Sequence, residues 1–445
     1  MDESVSVITH SRRPGLTRRG AIARMVSLVI IACLGLILSG CQAGMSQEPG
    51  ITHLTLWHGV NPPPNRDVLN RLVGQFNQTH PSIQVDALYI GQGDQQMPKI
   101  LSAVVGDAPP SMLWYAPMIT GQLVELDAIR PLDHWFAESS IAGEIDPTLL
   151  DSMTWDGHIW SVPFGINNVG IFYRPSLFDA AGITQLPSSW SDIRAIARQL
   201  TDNDEDTAPH HGILLPLGKG EWTVFIWLSF LWSAGGNLID PNTGHPDLAT
   251  PEAIAALEFW QNLVDDGSAT LSQPERGYEL DDFLAGRVAM QLTGPWTLRQ
   301  LRETGVDFAV MPIPPKIQQA TAVGGENLFI FKTSPDTEQA ALTFAEYVLS
   351  EDFQTQWAIE TGYLPVNLNA RQSEPYQDFV EQQPAIRIFL NQAPHGRSRP
   401  ILPGYNRLSE QLGRAIEAAL LDRDTPQHAL NAAQTRLDLI FEAYR

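Results

Sequence analysis

Two kinds of residue are scarce in this 445-residue chain. There are only two cysteines, and 28 Lys and Arg stand against 50 Asp and Glu. Cys33 and Cys41 alone cannot form the dense disulfide framework that holds small secreted domains together, so stability must come from core burial. The formal net charge of −22 at pH 7 excludes nucleic acid as a partner, because binding it requires basic patches that displace counterions. The same charge disfavours a free polyanionic ligand, although one local arginine can still hold one phosphate. Long apolar runs are missing too: the one candidate, residues 25–38, covers about 14 residues, where roughly 20 are needed to span a bilayer. Zinc-ligand spacing, a Gly-x-Ser-x-Gly nucleophile turn and a Gly-rich lysine loop for phosphate are all absent. Asp202-x-Asp204-x-Asp206 begins like a calcium loop, but Thr207 replaces the needed glycine and Ile213 stands where the bidentate glutamate belongs. That segment reads as a solvated acidic loop. His210 and His211 are adjacent, so their side chains diverge, and a surface loop is expected rather than a ligand pair. No metal and no cofactor are expected.

What is present starts at the amino terminus. Arg12, Arg13, Arg18, Arg19 and Arg24 precede the apolar run, and the small residues Ser39 and Gly40 follow it. A basic region, a short apolar core and a small-residue cleavage zone make an export signal, residues 1–40. Leu38-Ser39-Gly40-Cys41 resembles the bacterial lipobox, in which the cysteine carries diacylglycerol and becomes the first residue after cleavage. Cys41 is then a lipid attachment point, and Cys33 is discarded with the signal. Two acyl chains suffice for stable anchoring. Residues 41–50 read as a lipidated tether.

The remaining length exceeds one ordinary core, so two domains are expected. Residues 51–57 read as a strand, 66–79 as a helix with Val68, Leu69, Leu72, Val73 and Phe76 on one face, and 83–90 as a strand. A helix over 97–105 and a strand over 111–115 complete β-α-β-α-β, the pattern of a parallel sheet with crossover helices. Ser189 is placed to cap a helix bearing Trp190, Ile193 and Ala197. Thr250-Pro251 starts another helix and Gly267 ends it. Helices near 408–420 and 426–444 close the chain.

The twelve tryptophans and nine tyrosines are the most informative residues. Trp227, Trp232 and Trp260 sit in apolar helical runs and read as core. Trp222, Trp296 and Tyr363 each follow a glycine by one or two positions in turn-like contexts. Flat rings there offer an apolar face to the C–H surface of a sugar, while nearby amides and carboxylates bond its hydroxyls.

Several segments, in order, resemble one family. "LTLWHGV", "RLVGQFNQTHPSIQV", "GDAPPSMLW", "VPFGINNVGIFYRPSLFDAAGI", "AVGGENLFIFKTS" and "TGYLPV" are similar to the extracellular solute-binding proteins of carbohydrate ABC importers. The type is family 1, nearest the glycerol-3-phosphate-binding branch, and the similarity runs over residues 52–444. Departures are visible. Arg174 and Gly165 break the formal crossover signature. Ala116 follows Tyr115 where that branch has glutamate, Gln92 or a neighbour replaces a tyrosine, and Asn167 and Asn168 replace two serines. The polar set has changed, so the ligand is open to change as well.

The resemblance implies an α/β, two-lobe periplasmic binding protein fold with several interlobe crossings and a ligand cleft at the hinge. The crossings fall near Ile166, Glu326 and Leu364. Lobe one is then 51–165 plus 326–363, and lobe two 166–325 plus 364–445. The expected function is a non-enzymatic, lipid-anchored subunit on the periplasmic side of the envelope. It would act as a monomer, capturing a sugar and delivering it to the permease subunits. Trp222, Trp296 and Tyr363 wall the ligand. His58, Gln92, Tyr115, Asn167, Asn168, Glu326, Asn327 and Arg399 surround it with polar groups, and Gly324 and Gly325 let backbone N–H groups approach. One rival reading is a binding protein for glycerol-3-phosphate or its diesters, with Arg397 or Arg399 on the phosphate. Another is a surface glycosidase, which needs two carboxylates about 5 to 10 Å apart in the cleft.

Overall fold

The computed structural model describes residues 50–92, 95–202 and 210–442. The expected signal, Cys33, Cys41, most of the tether and Asp204 and Asp206 of the acidic loop lie outside the described residues. Among the described residues, no helix is long and apolar enough to cross a membrane, and no group of three His, Cys, Asp or Glu side chains could hold a metal ion.

The first elements follow the sequence pattern closely. Strand β1 (Thr52–His58), helix α1 (Pro63–Thr79), strand β2 (Ile83–Tyr89), helix α2 (Gln96–Val105) and strand β3 (Met112–Tyr115) form the β-α-β-α-β unit. Both β2 and β3 pair with β1 in parallel. Helix α1 begins three residues before the apolar stripe suggests, because prolines occupy its first positions, where a missing N–H costs nothing. Its buried face is Val68, Leu69, Leu72, Val73 and Phe76.

Strand β4 (Val162–Asn168) and strand β5 (Gly170–Tyr173) follow a run of short helices. Helix α3 (Trp190–Gln199) is capped by Ser189, whose hydroxyl accepts from the Asp192 N–H. Then come β6 (His211–Leu215), α4 (Glu221–Ser233), α5 (Pro251–Asp265), β7 (Ala269–Leu271), β8 (Val288–Thr293) and β9 (Ala309–Met311). Thr250 caps α5 in the same way as Ser189 caps α3. His211 begins β6, and its Nδ1 contacts the Gly267 carbonyl at 3.1 Å, so it is a strand residue rather than a loop residue. The ten-residue β10 (Thr321–Ile330) precedes helices α6 (Pro335–Leu349) and α7 (Glu351–Thr361). Strand β11 (Gly396–Ser398), α8 (Tyr405–Leu420) and α9 (Pro426–Phe441) close the chain.

Two sheets organise these elements into two lobes. One has the order β11-β10-β3-β1-β2, with β4 also on β10; the other runs β9-β5-β8-β6-β7. Period-two alternation sends each strand's side chains into different cores. On β3, Met112 and Trp114 join one cluster, while Leu113 joins another on the opposite face. On β10, Leu328 and Ile330 split from Phe329 in the same manner. In the second sheet, Ile171 and Phe172 of β5 divide likewise. Both sheets are therefore covered on both faces, as parallel and mixed α/β sheets require.

Helix α4 is apolar all round, and its residues from Thr223 to Ser233 are all buried, the behaviour of a core helix. Trp227 and Trp232 lie within it, and Trp260 lies on α5; all three are buried. Only Glu221 and Trp222, at the amino terminus of α4, escape full burial. Where the sheets approach each other, β4 runs antiparallel to β10, with Ile166 opposite Gly325. Ile166 also bridges to Leu364. Three distant segments thus meet at one place.

Candidate functional site

Beside that meeting point lies a cavity of about 430 Å³, within the range of small-molecule sites. The ends of β3 and β4, the middle of β10, the amino terminus of α4 and the turn after β8 all contribute to its wall.

One part of the wall is aromatic. Trp222 sits in edge contact with Trp296 (centroids 5.9 Å, 77°) and Tyr278 (6.2 Å, 86°), and is tilted against Phe225 at 6.1 Å. The Trp296 ring folds back over Gly294, where a Cβ would come within 2.0 Å of it. Asn65 of α1 fixes this turn by donating to the Trp296 carbonyl at 3.0 Å. The Trp222 indole N–H has no protein partner, nor does that of Trp114, which also lines the cavity. The same holds for Trp190, Trp227, Trp232, Trp260 and Trp357, which do not line the cavity, so this feature does not set the two apart.

The other part is ionic. Arg399 Nη1 donates to Glu221 Oε1 at 2.7 Å. The Tyr405 hydroxyl donates to the same oxygen at 3.0 Å, and Ser409 bonds the other. The guanidinium stacks over Phe225 at 4.6 Å. Burial alone would favour neutral Arg399, but Glu221, Tyr405 and Glu326 outweigh it and raise its pKa. Burial pushes Glu326 up to about 7, against the pull of Arg399 and the Tyr363 hydroxyl. Its Oε2 is buried without a hydrogen-bond partner. Burial and the neighbouring Glu326 hold Tyr363 well above the usual tyrosine range, so it remains protonated.

Of the residues singled out in the sequence, Gln92, Tyr115, Asn167, Trp222, Trp296, Gly324, Gly325, Glu326, Tyr363 and Arg399 line the cavity. Three do not. His58 is 2% exposed and takes the Val60 N–H on Nδ1; burial and the nearby Arg66 lower its pKa to about 4, so it is neutral. Asn168 follows Asn167 along a strand, so the two amides point to opposite faces. Both ends of Asn168 are bonded, to the Phe389 carbonyl and to Gln392. Asn327 stands to Glu326 in the same relation and donates to the Ser152 carbonyl and the Ser161 hydroxyl. Gly325 has φ +128°, and a Cβ there would lie 2.3 Å from the Gly165 carbonyl oxygen, so this glycine serves the close approach of β4 as well as the cavity. Arg397 is turned away, over Trp232 and bonded to Asn237.

Sequence reasoning missed Glu221, Phe225, Glu275, Tyr278 and Gln300, which also line the cavity. Tyr278 carried a usable signal, since Gly277-Tyr278 repeats the glycine-then-aromatic pairing of Gly362-Tyr363. Glu221 carried none, because its importance depends on Arg399, 178 positions away.

A family model described as bacterial extracellular solute-binding protein matches residues 71–385. The maltotriose-binding protein of Pyrococcus abyssi is 22% identical over 390 residues, covering 86% of this chain and 80% of that protein. The sn-glycerol-3-phosphate-binding periplasmic protein of Salmonella typhimurium is 22% identical over 438 residues, covering 93% and 97%. Among solved structures, an ABC transporter solute-binding protein from Thermotoga lettingae, bound with α-D-tagatose, superimposes with a TM-score of 0.79. It is 22% identical and covers 87% of this chain and 99% of that one.

Proposed function

The chain belongs to the bacterial extracellular solute-binding proteins, and on that premise we propose that it captures a carbohydrate in the cavity and delivers it to the permease of an ABC importer. Relatives and structural neighbours bearing maltotriose and tagatose in their names support this reading. The observation that carries it is the state of Arg399. The phosphate alternative needs a cation free to meet an anion, but Arg399 is already held by Glu221, with Glu326 nearby. The surrounding rings and the amide of Asn167 suit a ligand rich in C–H faces and hydroxyls.

Binding would work by closure. The lobes are taken as 51–165 plus 326–363 and 166–325 plus 364–445, with β10 and its partner β11 carrying the first sheet across that boundary, and with the pivot where Ile166, Gly325 and Leu364 meet. Of the cavity carboxylates, Glu221 is held by Arg399, Glu326 is buried and Glu275 accepts from the Lys219 N–H, an arrangement that supports binding over hydrolysis. The subunit is taken to act as a monomer.

The test is calorimetry of the mature chain with maltotriose, tagatose, glycerol-3-phosphate and glycerophosphocholine. Saturable sugar binding without phosphate-ester binding supports the reading; the reverse pattern overturns it. Anchoring through Cys41 is a separate proposal, resting on Leu38 to Cys41 after an export core. Cys41→Ser should abolish palmitate incorporation, and wild-type incorporation would refute it.

A further inference from the structure

The described ionic end of the cavity holds more acceptors and more negative charge than the protein itself satisfies. Two carboxylates, Glu221 and Glu326, share one guanidinium, that of Arg399. Glu221 takes the bond from Arg399 together with those from Tyr405 and Ser409. Glu326 is left with Oε2 buried and unbonded. Asn167 Oδ1 is a second buried acceptor without a partner. It lies against Gly324, where a Cβ would approach it to 2.5 Å, so only glycine at that position leaves room for the amide beside the cavity. A neutral hydroxyl would answer one acceptor with one donor. An ammonium group carries three donors and the missing positive charge. Aromatic rings in the same wall favour a cation rather than an anion.

We propose that the sugar taken by this cleft bears a cationic nitrogen, as in an amino sugar or an amino-linked oligosaccharide, with the nitrogen seated against Glu326 and Asn167. This rests on the carbohydrate reading above and narrows it. The groups facing Glu326 are Arg399 and Tyr363, with Glu221 and Tyr405 behind Arg399. Tyr363 and Tyr405 stay protonated, and Arg399 stays charged. Glu326 is therefore the member of this set that titrates near neutrality, at about 7. A cation favours its ionised form, so preference for the amine should rise with pH through that value, up to the point where the amine itself loses its proton.

Calorimetry at constant ionic strength would compare 6-amino-6-deoxymaltose with maltose, and chitobiose in free-amine form with its N-acetylated form, at pH 5.5 and 8, for wild type and Glu326→Gln. At pH 8 one amine should bind about ten-fold more tightly than its neutral counterpart, a charge-assisted bond replacing a neutral one. The preference should shrink at pH 5.5 and vanish in Glu326→Gln. Should that variant misfold, the wild-type pH dependence decides alone. Equal or tighter binding of both neutral sugars overturns this inference and leaves the carbohydrate reading intact, as does a preference that survives Glu326→Gln. Binding of glycerol-3-phosphate alone, or of none of these probes, overturns both.

Discussion

At one end of the cavity Glu221, Arg399, Tyr405 and Ser409 hold one another before any ligand arrives. At the other, Trp222, Tyr278 and Trp296 meet edge to face, and the Trp222 N–H bonds nothing. The ionic set joins α4 to the segment after β11 and to α8, so its partners come from three parts of the chain. Removing one partner strands a buried charge, which makes this end a structural device as much as a binding one. The aromatic set strands no charge when truncated: Trp222 and Trp296 are partly buried against the core clusters and also line the cavity. Substitutions should separate the two ends by what they damage: stability at the first, affinity at the second.

The largest effect is expected at Glu221. Glu221→Ala leaves Arg399 buried without its carboxylate, which costs about 3–5 kcal/mol in comparable sites. Urea unfolding measures this directly. The double variant Glu221→Leu with Arg399→Met should recover most of the loss, because an apolar pair of similar volume replaces a buried ion pair at little cost. A full loss persisting in the double variant would show that the bonds to Tyr405 and Ser409 matter more than the charge.

Glu326 comes next, and its sign is opposite to that of a salt-bridged acid. Its pKa rises from 4.5 in the unfolded chain to about 7 in the fold. Between those values the folded state holds the extra proton, so stability falls as pH rises and the penalty is complete above about 7. Glu326→Gln removes the titration. The stability gain of the variant over wild type should therefore grow from pH 5 to pH 8, by at most about 3 kcal/mol. A gain independent of pH would mean that Glu326 is solvated and titrates normally.

At the aromatic end, Trp296→Ala should leave the midpoint of unfolding close to wild type while weakening sugar binding. An aromatic contact contributes about 0.5–1.5 kcal/mol beyond its buried area, up to roughly ten-fold in affinity. Unchanged affinity in calorimetry would place Trp296 with the core, where it already touches both large clusters.

The same contrast explains what could be read from the residues alone. Local signals carried the elements: the stripe of α1, the Ser189 and Thr250 caps, and the glycine after α5 with φ +70° all stand as expected. The aromatic wall was legible because each ring follows a glycine nearby in sequence. The ionic end was not, because the partnership of Glu221 with Arg399 exists only after α4 and the segment following β11 are folded together. Asn168 and Asn327 were over-read for a simpler reason. Successive side chains along a strand point to opposite faces, so where Asn167 and Glu326 face the cavity, Asn168 and Asn327 face away from it. Applying that rule to Asn167-Asn168 and Glu326-Asn327 would have removed two of the three misplaced residues; His58 needed its burial to be seen.

The smallest expected effect is a near-absence, and it bears on both ends at once. A neutral sugar on the aromatic wall should bind with an affinity that changes less than about two-fold between low and high salt, since no exposed charge pair forms. A phosphate ester would have to draw Arg399 from Glu221 or share it, close to Glu326. The whole chain, at −22, repels anions at long range, so low salt should hinder that encounter rather than help it. Once bound at Arg399, an anion partly open to water would be weakened by added salt. Titrating maltotriose and glycerol-3-phosphate at both salt levels distinguishes these cases without altering a residue. Salt-indifferent maltotriose binding agrees with a cavity whose cation is already engaged. Tight glycerol-3-phosphate binding that added salt weakens would mean that Glu221 releases Arg399 to the ligand, and the ionic end would then be the binding end.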